Sequence, residues 1–413
     1  MRKLPLLWAL CAAASPAVAQ KGVDDALERA RQDVLAPHLN VAQADQAAHL
    51  NVSRSEAIRG GVQWLIDNQN PKGTWGSHHS PRWYEVLCDV PGSHNAFRVA
   101  TTSLGVMALM DSPYKSEASA AALSRGVDAL IAEHDVKRAN KMEHYSVWAF
   151  GYGLRAMSEY LLAHPEDARR KEILAACESL VVKLRKYQAL DGGWGYLSLD
   201  SPVTYQPSFT SMSFTTATCL IGLARARDLG LELPQKMVDR AVSSVARCET
   251  PMKAFTYGEL WRRSPHTSVN HIKGAACRVP VCLEALRLWG REVEAERIEH
   301  ALESLLRAYA RFQIAGLRRP VPHESHYGVS GYFYLYGHSY AALLMGQLSE
   351  EARIANGPDL LRAVLLCRQP DGSFWDYPLY SYHKAYGTAY AIMALARVPD
   401  AAVAMASPSE SRR

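Results

Sequence analysis

Histidine side chains recur at matching places along this chain, each just ahead of a segment with a helical pattern. They are His94, His144, His271, His326 and His383. An imidazole at a helix N-terminus meets the positive end of the helix dipole, so we expect its neutral form near neutral pH. A neutral imidazole can exchange protons or bind a metal ion. Their shared position makes these histidines the first candidates for chemistry at one common site.

Two carboxylates lie close to these histidines in the sequence. Glu324 precedes His326, and Asp376 precedes His383. A carboxylate beside an imidazole can take up and return a proton, and a pair of carboxylates would suit work on sugar chains. We therefore take His326, His383, Glu324 and Asp376 as catalytic candidates. The alternative is that Glu324 is a solvated loop residue and that Asp376 caps a turn.

Tyrosines are dense beside the same histidines, which predicts a cavity lined by aromatic rings with polar edges. The candidates for ligand binding are His94, His144, His271, Tyr332, Tyr382 and Tyr386. Such a lining fits a small molecule, a lipid or a glycan. The basic residues are scattered in a chain of net charge +5, and this argues against a nucleic-acid partner.

A short phrase of a glutamine, a glycine and an aromatic residue returns along the chain. It reads Q-N-P-K-G-T-W from Gln69, Q-A-L-D-G-G-W from Gln188, and one residue shorter, Q-P-D-G-S-F, from Gln369. Weaker marks that complete an interval of about sixty residues lie at His134, Cys248 and Gln313. A fixed period of this kind indicates a repeat architecture.

Each repeat carries two predicted helices joined by a polar loop. Amphipathic outer helices are predicted over 55–68, 121–134, 170–187, 235–247, 294–312 and 359–368. Inner helices, rich in small residues and tyrosine, are predicted over 98–110, 145–162, 214–228, 272–289, 331–348 and 384–397. Six hairpins predict an all-α fold, a single (α/α)6 toroid. Its long loops would meet at one mouth, beside the N-termini of the inner helices, where binding residues collect.

The repeated phrase resembles the QW motif of the prenyltransferase/squalene-cyclase repeat superfamily, which includes terpenoid cyclases and protein prenyltransferases. The resemblance covers about residues 55–398. It implies a toroid in which the glutamine caps a neighbouring helix and the tryptophan stacks on it. It also implies an isoprenoid or lipid ligand. Residues 381–386 resemble the stretch that supplies a zinc-binding histidine in protein prenyltransferase β-subunits, which implies His383 as a metal ligand.

The chain departs from the catalytic motifs of that superfamily. It has no Asp-x-Asp-Asp, the motif with which the cyclases protonate their substrate, and residues 327–332 lack the Asp-x-Cys pair that completes the zinc site. We therefore predict no cofactor, with zinc at His383 as the alternative. The main hypothesis is a ligand-binding toroid. A polysaccharide lyase or hydrolase and a non-catalytic scaffold are the alternatives, so the sequence leaves open whether the protein is an enzyme.

The two ends of the chain differ from the repeats. Arg2, Lys3, an apolar run and the small-residue pattern Ala17-Val18-Ala19 predict a secretory signal peptide over residues 1–19. We predict an N-terminal arm over 20–54, the toroid over 55–398 and a disordered tail over 399–413. The protein would then be exported, either periplasmic or secreted. No later segment has the length and apolarity of a membrane helix, and we expect a monomer.

Overall fold

The protein is described by a computed structural model, which covers residues 52–79, 91–137, 145–195, 210–308, 323–324 and 329–406. Residues from Ser53 onward belong to one compact unit. The predicted signal peptide and nearly all of the predicted arm lie outside the described residues. So do two of the candidate histidines, His144 and His326.

Helices make up most of the described chain. They are α1 (Arg54–Asp67), α2 (Pro91–Asp111), α3 (Glu117–Glu133), α4 (Ser146–Ala163), α5 (Arg170–Tyr187), α6 (Ser213–Asp228), α7 (Gln235–Arg247), α8 (Ile272–Ala275), α9 (Val279–Leu288), α10 (Ala295–Glu303), α11 (Tyr334–Met345), α12 (Glu350–Leu365), α13 (His383–Leu395) and α14 (Asp400–Ala406). The strands β1 (His323–Glu324) and β2 (Val329–Ser330) form a small antiparallel pair. Short 3₁₀ turns cover Glu259–Arg263, Gly331–Phe333 and Tyr380–Tyr382, and a π-helical turn, Ser304–Ala308, extends α10.

The inner helices α2, α4, α6, α9, α11 and α13 form a closed ring. Each packs against the next, and α13 packs against α2. Small residues allow this close approach, because a Cβ on Gly222 of α6 would lie 2.6 Å from the carbonyl oxygen of Gly151 on α4. The outer helices α1, α3, α5, α7, α10 and α12 lie around this ring. The prediction of an all-α (α/α)6 toroid is confirmed.

Several helices begin at residues other than those predicted from the sequence, because capping side chains fix where the first turn starts. Helix α3 begins at Glu117, since Ser116 and Ser119 form a reciprocal capping box ahead of it. Helix α12 begins at Glu350 because Ser349 accepts a hydrogen bond from the backbone N–H of Ala352 at 3.3 Å. The single inner helix predicted over 272–289 is divided into α8 and α9, with Pro280 in the first turn of α9.

The segment predicted as a disordered tail begins with a helix. Helix α14 packs against α12, and a Cβ on Gly357 would lie 2.4 Å from the Cβ of Ala402. The six described cysteines after the predicted signal peptide are all buried free thiols. This agrees with their interpretation as small apolar residues of the core.

The glutamine of the repeated phrase joins each loop to the next outer helix. Gln69 Nε2 donates to the carbonyl oxygens of Gly73 at 2.9 Å and of Ala122, on α3, at 2.8 Å. The buried indole of Trp75 donates to the carbonyl oxygen of Leu65 at 2.7 Å. In the third repeat, Gln188 and Trp194 make the corresponding bonds. The phrase therefore fastens one repeat to the next.

In the sixth repeat, the register assigned from the sequence is wrong by one residue. The loop bond that runs from Asn70 N–H to the Thr74 carbonyl in the first repeat runs from Gln369 N–H to the Ser373 carbonyl here. Arg368 therefore occupies the glutamine position, and the phrase R-Q-P-D-G-S-F has the full length.

The fourth repeat shows the same correction. Its loop bond runs from Thr250 N–H to the Ala254 carbonyl at 2.9 Å. This places Glu249, not Cys248, at the glutamine position and Phe255 at the tryptophan position. Lys253 takes the place of the glycine with φ 59°, whereas Gly73 has φ 86°.

Candidate functional site

One face of α4 carries three side chains of different chemistry toward the centre of the ring. Trp148, Tyr152 and Arg155 follow one another at helical spacing. Trp148 lies at the N-terminal end of the helix and is half-buried, whereas Tyr152 and Arg155 are buried. The face therefore passes from an accessible aromatic ring to a buried hydroxyl and then to a buried charge.

Aromatic rings from three inner helices meet at the end where Trp148 lies. The indole of Trp148 stacks on Tyr152 with ring centroids 5.9 Å apart and on Phe214 of α6 at 6.0 Å. Tyr336 of α11 meets it edge-on at 6.3 Å. Such offset and edge contacts are the favoured geometries of aromatic pairs. Trp148 therefore has a fixed orientation within a ring of aromatic neighbours.

Four buried tyrosines form a cluster deeper in the ring. Tyr152 and Tyr390 bring their hydroxyl oxygens to 2.5 Å, and the Tyr340 hydroxyl donates to that of Tyr152 at 3.4 Å. The fourth member, Tyr336, lies 3.1 Å from the Thr218 hydroxyl. We call Tyr152, Tyr336, Tyr340 and Tyr390 the tyrosine cluster. Burial raises the pKa of Tyr152, Tyr336 and Tyr390 well above the ordinary value, so these hydroxyls remain neutral donors.

An ion pair lies next to the tyrosine cluster. Arg155 donates from Nη1 to the Tyr340 hydroxyl at 3.5 Å and from Nε to Glu159 at 2.9 Å. The same Glu159 oxygen accepts from Arg225 Nε at 3.3 Å. A buried guanidinium needs such a partner, because an unpaired charge in the interior is very costly.

A second group of aromatic residues joins the first, second and sixth repeats. His94 meets Tyr380 edge-on at 4.9 Å and stacks on Tyr382 at 6.2 Å. Phe97 stacks on Tyr145 at 4.9 Å and lies 5.9 Å from Tyr382. We call His94, Phe97, Tyr145, Tyr380 and Tyr382 the aromatic rim. Two predicted ligand-binding residues, His94 and Tyr382, are thus in contact, and the Tyr382 hydroxyl donates to the His94 carbonyl at 3.1 Å.

Two residues of the aromatic rim have an unusual backbone. Tyr145 has φ 70° and Tyr380 has φ 48°, in the left-handed region that favours glycine. Each costs about 1–2 kcal/mol relative to a right-handed conformation. Backbone strain of this kind persists where the surroundings fix it, and it is frequent at binding sites.

His383 lies beside the aromatic rim at the start of α13. Its Nδ1 donates to the Tyr380 carbonyl, and its ring meets Trp375 edge-on at 5.6 Å. Among the described residues, no group of three His, Cys, Asp or Glu side chains is arranged to hold a metal ion. The zinc alternative at His383 therefore finds no complete ligand set in the part of the chain that the structure describes.

Asp376 is fully buried and caps another helix. Its oxygens accept from the Leu335 N–H at 2.9 Å, in the first turn of α11, and from the Tyr377 N–H at 2.7 Å. The hydroxyl of Tyr386, a predicted ligand-binding residue, donates to it at 3.1 Å. Burial raises the pKa of the carboxyl to about 7, although these hydrogen bonds oppose the shift. Two candidates are again brought together, here in a helix cap.

The remaining candidate residues have few described contacts or none. His271 caps α8, since its Nδ1 accepts from the Lys273 N–H at 3.4 Å. Glu324 belongs to β1 and Tyr332 to a 3₁₀ turn, but their side chains are outside the described residues, as are His144 and His326 altogether. Their roles stay predictions.

Sequence reasoning missed Phe97, Trp148, Arg155 and Phe214. The spacing of four and three residues between Trp148, Tyr152 and Arg155 was the available signal, because it places all three on one helix face. Phe97 and Phe214 carry no such signal, since a phenylalanine near a helix start is usually part of the core.

Known proteins resemble this chain only at low sequence identity. A model of a family described only as a domain of unknown function (DUF6288) matches residues 80–277, less than half of the chain. No curated protein matches the sequence. The apo structure of the type II terpene cyclase MstE from Scytonema is similar, with TM-score 0.47 and 15% identity over 83% of this chain and 97% of that one.

Solved structures with other printed descriptions have comparable scores. A possible GH105 family member from Klebsiella pneumoniae subsp. pneumoniae MGH 78578 has TM-score 0.49 and 16% identity over 84% of this chain and 93% of that one. The polysaccharide lyase BACCELL_00875 has TM-score 0.43 and 12% identity over 86% and 97%. At such identities the likeness concerns the fold alone. Membership of the prenyltransferase/squalene-cyclase superfamily is not shown.

Proposed function

We propose that this toroid binds an isoprenoid-like ligand, a branched apolar chain with a polar end, at the aromatic mouth. The mouth comprises the aromatic rim together with Trp148. The observation that carries the proposal is the partial exposure of Phe97, Tyr145 and Trp148 beside fully buried tyrosines. The structural tryptophans Trp75 and Trp194, by contrast, are completely buried.

The mouth offers such a ligand two kinds of interaction. Covering half-buried aromatic rings with an apolar chain contributes about 25 cal/mol per Å² of surface removed from water. Beyond Trp148, the neutral hydroxyls of the tyrosine cluster can donate hydrogen bonds to a polar end group such as an alcohol. The ligand would then lie with its polar end toward the cluster and its chain against the rim.

The contacts of Asp376 weigh against its use in sugar-chain cleavage. The lyase or hydrolase alternative places Glu324 or Asp376 at the substrate. Both oxygens of Asp376 accept backbone N–H groups, at the start of α11 and in the adjacent loop, and the side chain of Glu324 lies outside the described residues. The glycan alternative keeps one favourable feature, the accessible indole of Trp148, because sugar rings stack on such faces. The experiment below distinguishes the two ligand classes.

The test is equilibrium binding of a prenyl alcohol such as farnesol, and of a neutral oligosaccharide series, to the purified protein. We expect the alcohol to bind and Trp148→Ala to weaken binding about tenfold, which corresponds to about 1.4 kcal/mol. Trp64→Ala is the matched control, because Trp64 is half-buried on the outer helix α1 and does not belong to the mouth. This variant should bind the alcohol with the affinity of the unmodified protein. Thermal unfolding checks that both variants are folded.

Two results would replace the proposal. Binding of the oligosaccharides but not of the alcohol, with the same dependence on Trp148, would make the mouth a glycan site. Equal loss of affinity in the Trp64 and Trp148 variants would show that the mouth does not hold the ligand.

We also propose that the protein is exported, on the pattern of residues 1–19. Expression of the full chain with fractionation and N-terminal sequencing tests this. A mature N-terminus near Gln20 is expected, and an intact Met1 in the cytoplasmic fraction would contradict export.

A further inference from the structure

Three of the five large apolar side chains that are exposed among the described residues lie on neighbouring loops. Leu260 and Trp261, 59% and 45% exposed, lie on the 3₁₀ turn Glu259–Arg263, and Leu190, 62% exposed, follows α5. Arg247 joins the two loops, because it donates to Glu259 and to the Asp191 carbonyl, each at 2.7 Å. We call Leu190, Leu260 and Trp261 the Leu–Trp patch.

Exposed arginines surround the Leu–Trp patch. They are Arg240, Arg247, Arg262 and Arg263. Two carboxylates, Asp191 and Glu259, lie among them. Glu259 forms ion pairs with two of the arginines, Arg247 at 2.7 Å and Arg262 at 2.8 Å. Arg240 is held by carbonyl and amide oxygens, those of Leu190 and Gln188 among them. The surroundings of the patch therefore carry an excess of positive charge.

We propose that the Leu–Trp patch and its arginines dock the protein on the surface of an anionic lipid bilayer. Tryptophan favours the boundary between headgroups and acyl chains, where the indole keeps its N–H in a polar layer, and leucine beside it can insert into the apolar side of that boundary. Each basic side chain near an anionic membrane strengthens partitioning about five-fold. An apolar centre within a basic surround combines these two attractions, which together give more than either alone.

The position of the patch agrees with this use. The Trp261 ring lies 6.5 Å from that of Tyr257, which in turn meets Phe214 at 5.1 Å. Phe214 in turn stacks on Trp148 at 6.0 Å, so two intervening rings connect the patch to the aromatic mouth. Among the helices that the structure describes, none has the length and apolarity to cross a membrane, so docking would be peripheral. The docking proposal does not depend on which ligand the mouth binds.

Vesicle flotation at low ionic strength tests the proposal with the full mature chain. We expect binding to vesicles of phosphatidylcholine mixed with phosphatidylglycerol, weaker binding at high salt, and little binding to phosphatidylcholine alone. The double variant Leu260→Ser with Trp261→Ala should weaken partitioning roughly tenfold or more. Arg262→Gln with Arg263→Gln should weaken it roughly twenty-five-fold. Val182→Ser is the control, since Val182 is 65% exposed on α5 and lies outside the patch.

Leu260→Ser alone is the second apolar variant, because it leaves the contact between Trp261 and Tyr257 in place. It should also weaken binding while leaving the thermal unfolding of the protein unchanged. Failure of the unmodified protein to bind anionic vesicles would overturn the proposal, as would an equal effect of Val182→Ser. If poly-L-glutamate displaces the protein from vesicles and the apolar variants bind normally, the surface recognises an acidic polymer by charge alone, and the bilayer assignment fails.

Discussion

The buried carboxyl of Asp376 should make the protein more stable at mildly acidic pH than at alkaline pH. Its pKa is raised to about 7 in the folded protein, chiefly by burial, against an ordinary value of 3.8. Between these two values the folded state holds a proton that the unfolded state has lost. The free energy of unfolding therefore falls as the pH rises toward 7 and then levels off.

The size of this effect follows from the two pKa values. Each pH unit over which only the folded state holds the proton changes the free energy of unfolding by about 1.4 kcal/mol. Between pH 5 and pH 7 this amounts to about 3 kcal/mol, and little is added above pH 7. Asp376→Asn removes this contribution, because an amide does not titrate. The variant also loses an acceptor for one backbone N–H, which costs about 1–3 kcal/mol at every pH.

A buried histidine has the opposite dependence and conceals the effect in the unmodified protein. Burial lowers the pKa of His338 to about 4 from 6.5, while its Nδ1 donates to the Tyr334 carbonyl at 2.8 Å. Between these values the unfolded state holds the extra proton, so the free energy of unfolding rises with pH. From pH 5 to pH 6.5 this amounts to about 2 kcal/mol. The two groups nearly cancel across the range.

Urea unfolding at pH 5 and at pH 8 measures these contributions. The unmodified protein should change by about 1 kcal/mol, whereas Asp376→Asn should be more stable at pH 8 than at pH 5 by about 2 kcal/mol. His338→Gln should show the reverse, with about 3 kcal/mol more stability at pH 5. If the difference between the unmodified protein and Asp376→Asn is the same at both pH values, the carboxyl is ionised when folded and the reasoning is refuted.

Two further predictions concern the glycine position of the repeated phrase. Gly73→Ala should lower the free energy of unfolding by about 3 kcal/mol, because its Cβ would lie 2.2 Å from the Arg125 carbonyl oxygen in addition to the strain of φ +86°. Gly230→Ala is the control, because Gly230 has φ +94° and a Cβ there would meet nothing within 4 Å. It should lower the free energy of unfolding by about 1 kcal/mol. Equal losses in the two variants would mean that backbone strain alone, without the contact to Arg125, causes the destabilisation. Lys253→Gly should raise the free energy of unfolding by about 1 kcal/mol, since φ 59° suits glycine; a loss in the same urea assay would show that the lysine side chain stabilises its loop.

The fold could be predicted from the sequence because its strongest signals are local and repeated. Helical periodicity and the glutamine phrase specify hairpins at a fixed interval, and a closed ring then follows from their number. The register of the fourth and sixth repeats could not be read in the same way. There the hydrogen-bond pattern of the loop is kept while its residues change, with Arg368 or Glu249 at the glutamine position. A sequence search for glutamine therefore misses these two positions and assigns the residue next to them.

The candidate site was predictable in composition but not in arrangement. Histidine and tyrosine near the starts of inner helices indicated an aromatic mouth, and the contact between His94 and Tyr382 agrees with this. Which side of a buried helix faces the centre was not predictable for α11, because it is apolar or aromatic all round. The tyrosines of α11 lie on two faces of the helix. Tyr336 and Tyr340 join the tyrosine cluster, whereas the Tyr334 hydroxyl donates to the carbonyl of Ala363 on the outer helix α12.

Asp376 shows how tertiary structure changes the meaning of a local pattern. In the sequence it follows a tryptophan in a loop ahead of His383, a place where a catalytic carboxylate would be expected. In the structure it is buried against the first turn of α11, where one of its oxygens accepts a hydrogen bond from a backbone N–H that has no partner within the helix. The same helix carries Tyr336 and Tyr340 into the tyrosine cluster. The described contacts of Asp376 are therefore those of a helix cap, and its catalytic role stays a prediction.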